Sequence, residues 1–139
     1  MNTLREISSK EKSKTIENLK EILSFRTDII FAYIPGSFME CEQFRDIDIA
    51  VYCKNSNLSA KEVSDFEFQL SDELSTTIGS PVDVRILNNA PLGFQYHVTT
   101  GKVLISHDEE FRADSVERAW ILYLDFKPTA DVYLKEMFL

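Results

Sequence analysis

The sequence predicts an α/β sandwich, one β-sheet with helices packed on it. Three observations predict it. Short β-rich apolar runs recur at 29–34, 47–52 and 82–87, amphipathic segments of helical period lie around them, and turn or cap signals mark most borders. At 139 residues, with 44% hydrophobic and 27% charged, the chain is expected to form one domain, 1–139, with a core of its own.

The elements follow in order. Ser8-Ser9-Lys10-Glu11 has the spacing of a capping box, and Ile16, Leu19, Ile22 and Leu23 then give one apolar helix face up to about Phe25. Ile29 to Ile34 is a continuous apolar run, the pattern of a strand buried on both faces, and it stops at the turn Pro35-Gly36-Ser37. A second strand, Ile47 to Tyr52, ends in the polar stretch Lys54 to Asn57. Ser59-x-x-Glu62 caps the longest predicted helix, whose inner face is Val63, Phe66, Leu70, Leu74 and Ile78 and whose terminator is Gly79. Val82 to Leu87 alternates as a strand, a short helix covers 92–99 up to Gly101, and Val103-Leu104-Ile105 is a small strand. Asp114-x-x-Glu117 opens a further helix carrying Trp120 and Tyr123, and 128–139 forms a last one.

Composition excludes several classes. Acids outnumber bases 23 to 15 and no basic stripe is present, so a long nucleic acid is not the expected partner. No apolar run approaches the roughly 20 residues that span a bilayer, and the N-terminal residues lack the apolar stretch of a secretory signal. Cys41 and Cys53 suit neither a disulfide framework nor a zinc cluster and are expected as free thiols in a reducing cytoplasm.

The chemistry lies in three acids. Asp46 and Asp48 open the second strand two residues apart, so an extended chain aims both carboxylates the same way, and Asp83 places a third acid inside another apolar strand. If those strands are neighbours, the three converge. Two carboxylates about 4 Å apart repel by roughly 4 kcal/mol at an effective dielectric near 20, against a typical total stability of about 5–15 kcal/mol. Such a cluster calls for protons or divalent cations, and all-oxygen donors favour Mg²⁺ or Mn²⁺ over zinc. Acid-x-acid spacing also arises at Glu40/Glu42 and Asp108/Glu110, but neither abuts a buried strand or follows a glycine turn. Gly36-Ser37 supplies that turn here, with backbone amides and a hydroxyl suited to phosphate. His97 and His107 lack partners at ligand spacing, and Trp120, Tyr123 and Phe126 follow the helical spacing of packing residues.

Strand, Gly36-Ser37, eight residues, Asp46-Ile47-Asp48 on the next strand and Asp83 on a later one resembles the signature of the DNA polymerase β-like nucleotidyltransferases. The size, and the text Tyr123-Leu124-Asp125-Phe126-Lys127-Pro128, look like the minimal nucleotidyltransferases (MNT), antitoxins paired with HEPN-domain toxins. The resemblance implies the polymerase β-like fold with a single mixed sheet. It implies catalytic and metal-binding roles for Asp46, Asp48 and Asp83, and nucleotide binding by Gly36 and Ser37. It further implies two Mg²⁺ ions, with Mn²⁺ as a substitute, and ATP as donor. Its partner is a HEPN-type toxin modified with AMP on a hydroxyl side chain. The chain departs from the family in a shorter loop and in Phe38-Met39-Glu40, where an arginine commonly follows the serine; Arg45 or Arg85 is placed to substitute. Two alternatives stay open, a binding-only antitoxin with a decayed site and a nucleotidyltransferase acting on a small molecule. Homo-oligomerisation stays open as well.

Overall fold

The computed structural model describes residues 5–6, 9–36, 38, 43–44 and 46–138. In chain order these form β1 (Arg5–Glu6), α1 (Ser9–Ser24), β2 (Ile29–Ile34), β3 (Gln43–Phe44), β4 (Ile47–Cys53), α2 (Ala60–Ile78), β5 (Val82–Ile86), α3 (Leu92–Val98), β6 (Lys102–Ser106) and α4 (Glu109–Phe138). The main sheet has the order β5-β4-β2-β6 and is mixed, as expected: β4 and β5 run parallel, while β2 is antiparallel to both β4 and β6. The strands β1 and β3, which the sequence pattern did not announce, pair antiparallel as a separate two-stranded ribbon.

Local chemistry fixes α2 at both ends. The Ser59 hydroxyl accepts the Glu62 amide while the Glu62 carboxylate accepts the Ser59 amide, the reciprocal capping box, and Gly79 ends the helix at φ 82°. The proposed capping box at Ser8 lies outside the described residues.

Alternation along the strands builds two cores. On one face, Ile16, Leu19 and Leu23 of α1 and Leu70 and Leu74 of α2 pack on Ile47, Ile49 and Val51 of β4 and Val82 and Val84 of β5. On the other, Phe31, Tyr33, Ala50, Leu87 and Val98 make a smaller cluster. There the rings of Phe31 and Phe111 flank Tyr52 at 5.1 and 5.2 Å, and Arg112 donates to the Tyr33 hydroxyl at 2.5 Å. Both faces of β2 are covered, which is why its sequence is apolar throughout.

The edge strand β5 is sealed by polar side chains of α2. At four-residue intervals, Ser75, Ser71 and Glu67 accept the amides of Val82, Val84 and Ile86 at 2.8, 2.9 and 2.9 Å. Every amide that β5 turns away from β4 thereby finds a partner, and the edge cannot template another strand.

The C-terminal region corrects two expectations. Asp108 caps the Phe111 amide at 3.0 Å, so the helix begins at Glu109 and not near Asp114. It then runs on through Pro128 as one helix rather than two. Trp120 and Tyr123 pack as their spacing implied: Tyr123 stacks on Tyr96 of α3 at 4.5 Å, and the Trp120 indole donates to Thr99 at 2.8 Å.

Candidate active site

The parallel register pairs Ile47 with Val82 and Asp48 with Asp83, side by side on adjacent strands. Alternation puts both carboxylates on the face of Ala50 and Leu87, beyond the part that α3 and α4 cover. The antiparallel register sets Tyr33 of β2 opposite Ala50, and Pro35, just past the end of β2, lines the same cleft as Asp48. Gly36 after β2, Asp48 of β4 and Asp83 of β5 therefore line one end of the sheet, and Gly36, where the sequence pattern predicts a turn, already begins a helical turn in which the Phe38 amide donates to the Pro35 carbonyl at 3.2 Å. Asp46 lies just outside β4, exposed, and close enough to act electrostatically on Asp48.

This row floors an open cleft of about 770 Å³, lined by Pro35, Gly36, Asp48 and Asp83 from the sheet end and by Phe94, His97 and Thr100 from α3 and the turn after it. Arg85 projects into it from β5 and reaches Asp83, Nε to Oδ2, at 3.4 Å. The Asp48 carboxyl is held above its ordinary range. Partial loss of hydration against the sheet is the larger cause; repulsion by Asp83 and then Asp46 adds to it, and Arg85 opposes it.

Among the described residues, no three His, Cys, Asp or Glu side chains are gathered into a closed ligand set. Asp83 turns to Arg85. The donor chemistry nevertheless fits a hard divalent cation, being oxygen alone, with the neighbouring acids adding to the rise in the Asp48 pKa. Asp46 and Asp48 are placed to hold such an ion, with Asp83 beside them.

Gly36 has open space where a Cβ would stand and no positive φ, so neither packing nor backbone strain requires a glycine there. Its opening faces the cleft, which suits close approach by a ligand. Ser37 and Arg45 lie outside the described residues. Phe38 is buried in the core cluster with α1, so the position where an arginine is common serves packing instead.

Sequence reasoning missed the second wall. Phe94 and His97 are on a seven-residue helix with no ligand spacing to advertise them. Gly101 read as a helix terminator, yet α3 already ends at Val98. Its real constraint is contact: a Cβ at Gly101 would stand 2.1 Å from the Ile34 carbonyl oxygen, 2.8 Å from Pro35 Cα and 2.9 Å from the Gly36 nitrogen. Gly101 thus lets the α3–β6 turn lie directly against the Gly36 backbone.

A mixed sheet with a glycine turn and paired strand acids at one end defines a nucleotidyltransferase, and residues 17–110 match the family described as polymerase beta, nucleotidyltransferase. The chain belongs to that family, whose members typically use divalent cations. Similar solved structures include a tri-AMPylated Shewanella oneidensis HEPN toxin in complex with MNT antitoxin, at 18% identity and TM-score 0.69, covering 92% of this chain and 99% of the other. A toxin–antitoxin MntA–HepT structure matches at 17% identity and TM-score 0.68, covering 91% and 99%. A toxin–antitoxin with AMP-PNP matches at 18% and 0.65, covering 96% and 100%. The search of curated proteins gives no match.

Proposed function

We propose that the chain transfers AMP from ATP to a hydroxyl side chain of a HEPN-type toxin and thereby acts as its antitoxin in the cytoplasm. The observation that carries the reading is the row Gly36, Asp48, Asp83 across β2, β4 and β5. In the reaction the acceptor oxygen attacks the α-phosphorus. The new O–P bond forms as the bond to the bridging oxygen of pyrophosphate breaks, and the hydroxyl proton passes to Asp83 or to water. Gly36, with Ser37 by its place in the motif, cradles the departing pyrophosphate through backbone amides. Asp46 and Asp48 would hold Mg²⁺, two ions by the polymerase-like pattern. Bound there, the cation supplies charge neutralisation of the phosphates and an oriented, more acidic hydroxyl. Arg85, the described cation in the cleft, takes the place of the arginine missing from the loop.

The partner reading draws support from similarity to complexes in which an MNT antitoxin is bound to a HEPN toxin. The α4 helix also leaves Ile121, Leu122 and Leu124 about half exposed, an apolar surface available to a protein. The binding-only alternative is favoured by one observation, the burial of Phe38 in the core where a phosphate-contacting arginine is common.

Incubation with radiolabelled ATP, Mg²⁺ and a HEPN-domain protein found as the product of the adjacent gene separates the two, and the lack of such a gene would count against the partner reading. Label on that protein, lost in the Asp46→Asn/Asp48→Asn double variant, is the expected result. A stable complex without label points to the binding-only module.

A further inference from the structure

A second cavity of about 570 Å³ adjoins the cleft and shares Arg85 and Phe94 with it. It lies past the edge strand β5, where Leu58, Val63, Ile86, Ala90, Pro91 and Phe94 give it a mostly apolar wall. Glu67 also lines it, its carboxylate accepting the Ile86 amide at 2.9 Å, and Arg85 stands at the border with the cleft.

In-line transfer assigns an occupant. With pyrophosphate at the Gly36 turn and the α-phosphorus over Asp48, the entering oxygen stands on the opposite side, over Asp83. Strands are spaced about 4.8 Å apart, so this line crosses β2, β4 and β5 in about 10 Å and leaves the sheet at its β5 edge. The nucleoside hangs from the α-phosphorus roughly at right angles to that line. The cavity lies beyond that edge, on the side from which the acceptor enters. From Asp83 to Ile86 is three residues of strand, about 10 Å, a span that about three residues of an extended acceptor chain also cover.

We infer that this cavity receives an apolar or aromatic side chain of the acceptor polypeptide, about three residues from the hydroxyl that is modified. The inference rests on the transfer reading above. It makes the cavity an acceptor-recognition subsite, separate from the acids and from the nucleotide.

The test fills the cavity. Asn89 lines it with an exposed side chain, and Ala90 is half-buried beside it, so Asn89→Trp and Ala90→Trp obstruct it without touching the acids. With the HEPN-domain protein as acceptor, its KM is expected to rise about tenfold or more, the scale of losing one anchoring side chain. Affinity for α,β-methylene ATP with Mg²⁺ should stay within about twofold of the parent. An unchanged acceptor KM overturns the inference, and so does weakened analogue binding, which would give the cavity to the base. Photocrosslinking from Asn89→p-benzoylphenylalanine adds a readout that needs no turnover. Attachment near a hydroxyl-bearing residue of the HEPN-domain protein supports the subsite, and its absence in a complex seen by size-exclusion chromatography overturns it. If chromatography shows no complex, the partner reading fails and takes this occupant with it.

Discussion

Replacing Gly101 by alanine should cripple the nucleotide site from outside it. The added Cβ would sit 2.1 Å from the Ile34 carbonyl oxygen, with Pro35 Cα at 2.8 Å and the Gly36 nitrogen at 2.9 Å. An ordinary carbon–oxygen contact is above 3 Å, so the two chain segments must part by about 1 Å, and all three contacts are backbone that no rotamer can move aside. Overpacking of this kind typically costs about 1–3 kcal/mol. For a chain of this length that is a fall in Tm of roughly 3–10 °C. Displacing the turn at Gly36 by about 1 Å should lower turnover about a hundredfold, the usual consequence of such a misplacement. Gly36→Ala is the matched control, since open space surrounds that position. Its stability should hold within about 0.5 kcal/mol or rise slightly through a stiffer unfolded chain, while triphosphate binding weakens. The assays are thermal melts and transfer of label from ATP. A Gly101→Ala protein with unchanged Tm and unchanged turnover would refute the reasoning, and weakened stability in Gly36→Ala would show that its glycine is structural.

Two further predictions concern the scaffold. The Cys53 thiol is buried, and loss of hydration, with Asp28 adding, pushes its pKa up to about 11. An acid whose folded pKa is raised favours folding least when the unfolded thiol ionises alone, so stability should fall as pH rises from about 9 to about 11. Melts of wild type and Cys53→Ala across that window should diverge by up to about 2 kcal/mol, and parallel curves would contradict the burial argument. Ser71→Ala strips the Val84 amide of its acceptor at 2.9 Å and should cost about 1–3 kcal/mol in urea unfolding; a change below about 0.5 kcal/mol would mean water replaces the hydroxyl.

What the sequence made legible is what neighbouring residues decide among themselves. The Ser59–Glu62 box and Gly79 are local, and both ends of α2 fall where they place them. The unbroken apolar run of β2 announces burial on both faces, and alternation in β4 and β5 puts Asp48 and Asp83 on a common face. Their adjacency needed the parallel register, which no local pattern states. The polar row Glu67, Ser71 and Ser75 was passed over because the apolar stripe beside it explained the helix by itself, while the edge of β5 that it serves is distant in the chain. Gly101 and Phe94 act through segments remote in sequence, so each looks ordinary alone. At α4, the cap at Asp108 begins the helix five residues before Asp114, and the helix continues past Pro128. The two-residue strands β1 and β3 are too short to carry any period.

In the reading proposed above, the Gly36 backbone and the three acids form a site for a nucleoside triphosphate accompanied by a divalent cation. Calorimetric titration of α,β-methylene ATP, once with Mg²⁺ and once with EDTA, tests it most directly. Bare triphosphate brings about four negative charges to a cleft lined by two carboxylates, with Asp46 beside them, at roughly 1 kcal/mol or more per close pair even in high dielectric. The account predicts binding with Mg²⁺ and at least about tenfold weaker binding in EDTA. Equal affinity in both buffers, or none in either, would contradict it.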